Sequence, residues 1–132
     1  MSQRFWTLVD RDGHLIDVDE QFCALLDRPK RSLVRQNILS ITHPNDQFDT
    51  RADFSRLQAK ESRFTITKRY VHARGHAIWA HATAIRSEIT NGRIFVTGAI
   101  LLADPDVRLA AERLKTTAIF SALELLSKIP IS

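Results

Sequence analysis

The chain has 132 residues, 44% of them hydrophobic and 26% charged, the proportions of an ordinary globular domain with one core and not of a disordered or fibrous chain. Lys and Arg exceed Asp and Glu by 19 to 15. Apart from Arg28, Lys30, Arg31 and Arg35 the cations stand singly among acids, a solvated face and not a nucleic-acid patch. A lone Cys23 excludes an internal disulfide, and with no signal-like N-terminus and no apolar run of membrane-spanning length, a cytoplasmic setting without a membrane partner is expected.

Residues 5–9 and 14–18 flank Asp10-Arg11-Asp12-Gly13 and predict a β-hairpin closed by an Asp-Gly turn. Asp19 is placed to cap a short helix over 20–26, where Phe22, Leu25 and Leu26 share a face and Asp27 and Pro29 end it. Residues 32–41 mix apolar and polar positions too irregularly for more than one or two helical turns. Pro44 suits a first helical turn and Asp46 the positive end of the helix dipole, predicting a helix over 44–59. Two inner stripes are open for that helix: Phe48, Ala52, Ser55 and Ala59, or the neighbouring Phe54 and Leu57.

From Arg63 the period becomes alternating. Phe64, Ile66, Lys68 and Tyr70 fall on one side of this strand, with Thr65, Thr67, Arg69 and Val71 on the other. After Arg74-Gly75 a second strand over 76–87 places Ala77, Trp79, His81, Thr83 and Ile85 opposite Ile78, Ala80, Ala82 and Ala84. Asn91-Gly92 is the strongest hairpin signal and leads into a third strand over 93–102. Asp104-Pro105-Asp106 then supplies a cap and a first-turn proline, and 107–129 lacks Gly and Pro, which predicts one long helix stopped by Pro130.

The five histidines do not form a metal motif. His76 and His81 differ in strand parity, and no Cys or Glu completes a ligand set with His72. His43 is expected to brace the loop before Pro44. Acid pairs such as Asp10 with Asp12 are turn chemistry, and there is no phosphate loop or nucleophile elbow, so no catalytic residue is assigned and no enzyme activity is expected.

The segments FWTLVDRDGHLIDVDEQFCALLDRP, ITHPND, KRYVHARGHAIWA and LLADPDVRLAAERL, in this order, together resemble the PAS family of sensor domains, in the bacterial subgroup with a Trp in the penultimate strand. The likeness spans about residues 5 to 115. It implies an α+β PAS fold: a five-stranded antiparallel sheet with short helices on one face and a long C-terminal helix, a core over 1–103 and a signalling or dimerisation helix over 104–132. Asp27 and Arg35 stand where the family often has Gly, and Arg74 where a turn Asp is usual. Cys23, in QFCAL, lacks the Asn-Cys-Arg setting of the flavin-binding members. No haem or flavin is assigned, and Cys23 is expected to be a buried structural residue.

The resemblance also implies a cavity between sheet and helices, for which Phe22, Leu26, Phe54, Ile66, Tyr70, Ile78 and Ala80 are the lining candidates, around small Ala80 and Ala82, with an apolar or mixed small molecule as the expected ligand. The terminal segment carries one apolar stripe through Ala111, Leu114, Ala118, Ala122, Leu125 and Ile129, beside another through Ile119, Phe120, Leu123 and Leu126. Burying four such side chains is worth on the order of 6 to 12 kcal/mol before entropy, so a covering surface is expected. That surface is the outer sheet face carrying Trp79, Thr83 and Ile85, or the same helix of a second subunit. Interface candidates are therefore Trp79, Ile85, Leu114, Ile119, Phe120, Leu123 and Leu126. The expected function is a homodimeric sensory module of bacterial signal transduction, which binds a small ligand, a partner protein or both and acts through a fused or separate output. The alternative is a ligand-free interaction and dimerisation module.

Overall fold

A computed structural model of the chain describes residues 3–59, 63–87 and 90–102, without the side chains of 58 and 59. The predicted helix over 107–129, with interface candidates Leu114, Ile119, Phe120, Leu123 and Leu126, lies outside the described residues. Within them the chain forms β1 (Arg4–Asp10), β2 (Leu15–Val18), α1 (Glu20–Leu26), α2 (Lys30–Leu33), a 3-10 turn (Ile38–Ile41), α3 (Pro44–Ala59), β3 (Arg63–Val71), β4 (Ala77–Arg86) and β5 (Ile94–Leu101). The strands make one antiparallel sheet in the order β2-β1-β5-β4-β3. The helical residues that reach the core meet one face of it. Five strands and the short helices thus form where hydrophobic period and turn chemistry place them.

Turn and cap residues act as their chemistry requires. Asp10 Oδ1 accepts from the amides of Asp12 and His14, both at 2.9 Å, and Gly13 takes φ +88. Asp19 accepts from the Gln21 amide, and Asp27 ends α1 in the left-handed conformation at φ +53. His43 braces the start of α3 from both sides: Nδ1 accepts from the Asn45 amide at 3.1 Å, and its own amide donates to the Arg69 carbonyl at 2.9 Å. Asn91 and Gly92 both take positive φ, 56 and 72, as a primed turn requires, within the loop that joins β4 to β5.

The inner face carries the core. Phe5, Phe22 and Tyr70 form an aromatic trio with centroids 5.0 to 5.8 Å apart, and Val9, Leu15, Leu26, Leu33, Phe95 and Ala99 are buried around it. Cys23 is half-buried against this cluster and not enclosed by it, and burial pushes its thiol pKa up, against the opposing pull of Lys30. The roll of α3 resolves its two stripes. Leu57 and Thr50 are fully buried and Phe54 packs on the core, whereas Phe48 is 81% exposed, so the stripe through Phe48 is not the inner one. Asp46, Thr50, Phe54 and Leu57 recur at three- and four-residue intervals, and docking of Asp46 onto β3 turns that face inward.

Among the described non-glycine residues at positive φ, Arg35 is neither Asp nor Asn and is the strained one. Arg35 takes φ +78 because its amide donates to the Leu15 carbonyl while the Gln36 carbonyl accepts from the Leu15 amide, which ties this loop to β2. A side chain at such φ costs about 1 kcal/mol or more, and glycine does not incur it. Arg35→Gly is expected to raise stability by about 1 kcal/mol in denaturant unfolding; a lower midpoint would show that the guanidinium makes compensating contacts.

Candidate functional site

β3 is an edge strand, and the start of α3 docks against it. Asp46 Oδ2 accepts from the Arg69 amide at 2.7 Å and from Nε at 3.0 Å, while Oδ1 accepts from an Arg69 terminal nitrogen at 3.0 Å. Burial acts to raise the Asp46 pKa, but the hydrogen bonds and charge of Arg69 outweigh it and hold the carboxyl below its usual value. The Arg69 guanidinium also lies over the Trp79 ring, 4.7 Å from its centroid. The ITHPND segment and both strands of the KRYVHARGHAIWA segment thus meet in one Asp46–Arg69–Trp79 stack.

Strand alternation sends the neighbour of Arg69 the other way. Lys68 points to the inner face opposite Ala80, is 3% exposed, and places Nζ 4.8 Å from the Tyr70 ring centroid. It lines an inner cavity of about 10 Å³ with Thr7, Ile38, Thr50, Phe54, Phe64, Ile66, Tyr70, Ala82, Ala84 and Thr97. That space admits about one water molecule. The lining offers Lys68 no carboxylate. Burial drives its pKa from 10.5 down to about 7, with Asp46 supplying a weaker opposing attraction. Thr50, 0% exposed on α3, presents to the same cavity an Oγ1 without a hydrogen-bond partner.

Phe54 and Ile38 have the cavity on one side and a surface cleft on the other. The cleft, about 320 Å³, is lined by Arg11, Asp12, Gly13, Asn37, Leu39, Arg51 and Ser55 as well as these two residues. Phe54 is half-buried, edge-on to Phe64 at 5.2 Å and stacked on Phe95 at 5.8 Å.

Of the seven lining candidates, Phe54, Ile66 and Tyr70 face the cavity. Phe22, Leu26 and Ala80 are fully buried in the surrounding core, and half-buried Ile78 packs against it opposite Tyr70. Lys68 and Thr50 were missed as site residues. The alternation that pairs Lys68 with Ile66 and Tyr70 was visible, but a lysine is by default assigned to solvent. On the outer face Trp79 is half-buried, Ile85 is buried, and Thr65–Thr83 and Thr67–His81 form cross-strand hydrogen bonds at 3.2 and 3.0 Å.

A family model described as the PAS fold matches residues 15–100. The chain belongs to the PAS family. Among solved structures it is similar to the PAS domain of an HTR-like protein from Haloarcula marismortui, at 18% identity and TM-score 0.66 over 75% of this chain and 86% of that one. A PAS domain from Colwellia psychrerythraea gives 18% and 0.62 over 75% and 84%. The Cycle PAS-B domain of Drosophila melanogaster, with bound ethylene glycol, gives 10% and 0.66 over 74% and 99%. At these identities the likeness is one of fold. No curated protein matches the sequence. Family membership makes this PAS domain a sensory or signalling module in general terms.

The buried lysine of this PAS domain is a stability cost with a definite pH signature. The unfolded chain takes up the Lys68 proton below about pH 10.5 and the folded chain only below about 7, so wild-type stability rises with pH across that window. The full displacement corresponds to roughly 3 to 5 kcal/mol, which relaxation of the surroundings reduces. Lys68→Met, similar in length and uncharged, is expected to be more stable than wild type by about 1 to 4 kcal/mol at neutral pH, with the gap closing toward about pH 10. Chemical denaturation at several pH values measures it. A variant less stable than wild type at neutral pH would mean that the ammonium is well solvated in the fold.

Proposed function

We propose that this PAS domain binds a small molecule between sheet and helices and passes its occupancy to a partner protein or fused output domain through a homodimer and the segment 104–129. Support comes above all from one observation: the Phe54 and Ile38 side chains line both the inner cavity and the surface cleft. A change in the rotamer of a half-buried phenylalanine is a small motion, and it would join the two spaces into a chamber of ligand size. In this reading Phe54, Ile66 and Tyr70 contact the ligand, while Phe22, Leu26, Ile78 and Ala80 form the wall behind them. Trp79 and Ile85, on the outer sheet face, receive Leu114 and the neighbouring apolar stripe of Ile119, Phe120, Leu123 and Leu126 from the same chain or from a second copy. The module works without catalysis, in the cytoplasm, within a bacterial two-component or similar pathway.

One observation favours a second reading, a ligand-free interaction module: the inner cavity is only about 10 Å³, so the core is nearly filled before any rearrangement. Native mass spectrometry before and after denaturation separates the two. A dimer carrying extra mass that denaturation removes is the expected result. A dimer of bare chain mass would favour the interaction module, and a bare monomer at micromolar concentration would overturn the homodimer.

A further inference from the structure

The side chains around the inner cavity favour one charge type. From α3 comes the Thr50 hydroxyl, fully buried and without a partner. From β3 comes Lys68, and the remaining lining from β1, β4, β5 and the 3-10 turn is uncharged: Thr7, Ala82, Ala84, Thr97 and Ile38. The other titratable groups acting on Lys68 are Tyr70, whose ring lies 4.8 Å from Nζ and whose own pKa is raised by burial, and Asp46, already engaged by Arg69. A cation and an unpaired hydroxyl are therefore enclosed by Phe54, Phe64 and Ile66 with no anion among them.

We propose that the ligand of this PAS domain is a small organic acid with an apolar tail, its carboxylate held by Lys68 Nζ and Thr50 Oγ1 and its tail running past Phe54 toward the cleft. The proposal rests on the ligand-binding reading above and narrows it. A single ammonium matches a monoanion, whereas a phosphate monoester would bring more charge than the cavity can neutralise. A carboxylate accepting from both donors would give the Thr50 hydroxyl a partner and Lys68 a counter-ion inside the cavity. The aromatic and aliphatic walls suit the tail. Because Lys68 must be charged to hold the acid, binding draws a proton onto it.

Calorimetric titration of the full chain with butyrate, hexanoate and octanoate, each against its neutral amide, tests the proposal. At least one acid is expected to bind about ten-fold or more tightly than its amide near pH 6.5, and to weaken by a similar factor near pH 9, where Lys68 is neutral. Lys68→Met should abolish the preference for the acid over its amide, and Thr50→Val should reduce that preference. Acids and amides binding alike would overturn the charge assignment and leave the cavity reading intact. A preference that survives Lys68→Met would place the carboxylate at the cleft, near Arg11 and Arg51, and overturn it too. Binding of neither class would overturn the acid ligand together with the ligand-binding reading on which it rests. The pH comparison needs only the wild-type chain and holds even if a variant fails to fold.

Discussion

The arrangement of the inner face depends on one bidentate ion pair. Asp46, in the first turn of α3, satisfies both the backbone amide and the guanidinium of Arg69, and this contact has three consequences. It covers part of the exposed edge of β3, where unpaired amides invite strand addition. It sets the roll of α3, so that Thr50, Phe54 and Leu57 face the sheet and Phe48 faces water. Because side chains alternate along a strand, it also commits Lys68 to the interior. An edge contact made for structural reasons thereby dictates which polar groups the core encloses. The pair is intact wherever Asp46 is ionised, so its contribution is present above about pH 4 and is lost as pH falls through the lowered Asp46 pKa.

Enclosing an amine in a nearly filled core is costly, and nothing in the packing of the sheet requires it. An apolar residue at position 68 would continue the series of Phe64, Ile66 and Tyr70. Groups whose environment opposes their charge concentrate at sites that bind or react. The nearby Thr50 hydroxyl, buried without a partner, marks the same region independently. Phe54 lines both the inner cavity and the cleft, so the movement proposed for ligand entry would disturb its contacts with Phe64 and Phe95. Through Phe95, whose strand pairs with both β1 and β4, such a disturbance reaches the centre of the sheet. That is a physical route by which occupancy could act on the outer face.

Much of the fold was legible in the sequence because local chemistry dominates there. Asp19, Asp27, His43, Pro44 and Asn91-Gly92 each have few conformations open to them, and the bounds of α1 and α3 follow from that. The alternation from Arg63 gave the faces of β3 and β4 correctly. The roll of α3 was not legible, since its two candidate stripes are about equally apolar and a tertiary contact, Asp46 on Arg69, chooses between them. The same contact explains why Lys68 was overlooked. Composition assigns a lysine to water, and only the enclosure of both sheet and α3 around it shows otherwise. Phe22, Leu26 and Ala80 are buried as their pattern implies, but burial alone does not distinguish a residue in the wall from one that faces the space.

Lys68 is an enclosed amine with no carboxylate in its cavity, and a carbon-detected NMR titration of the lysine Cε signals tests this most directly. One signal, assigned by its loss in Lys68→Met, is expected to titrate with a midpoint near 7. A midpoint near the ordinary lysine value of 10.5 would contradict that enclosure, because the ammonium would then be in water or fully paired.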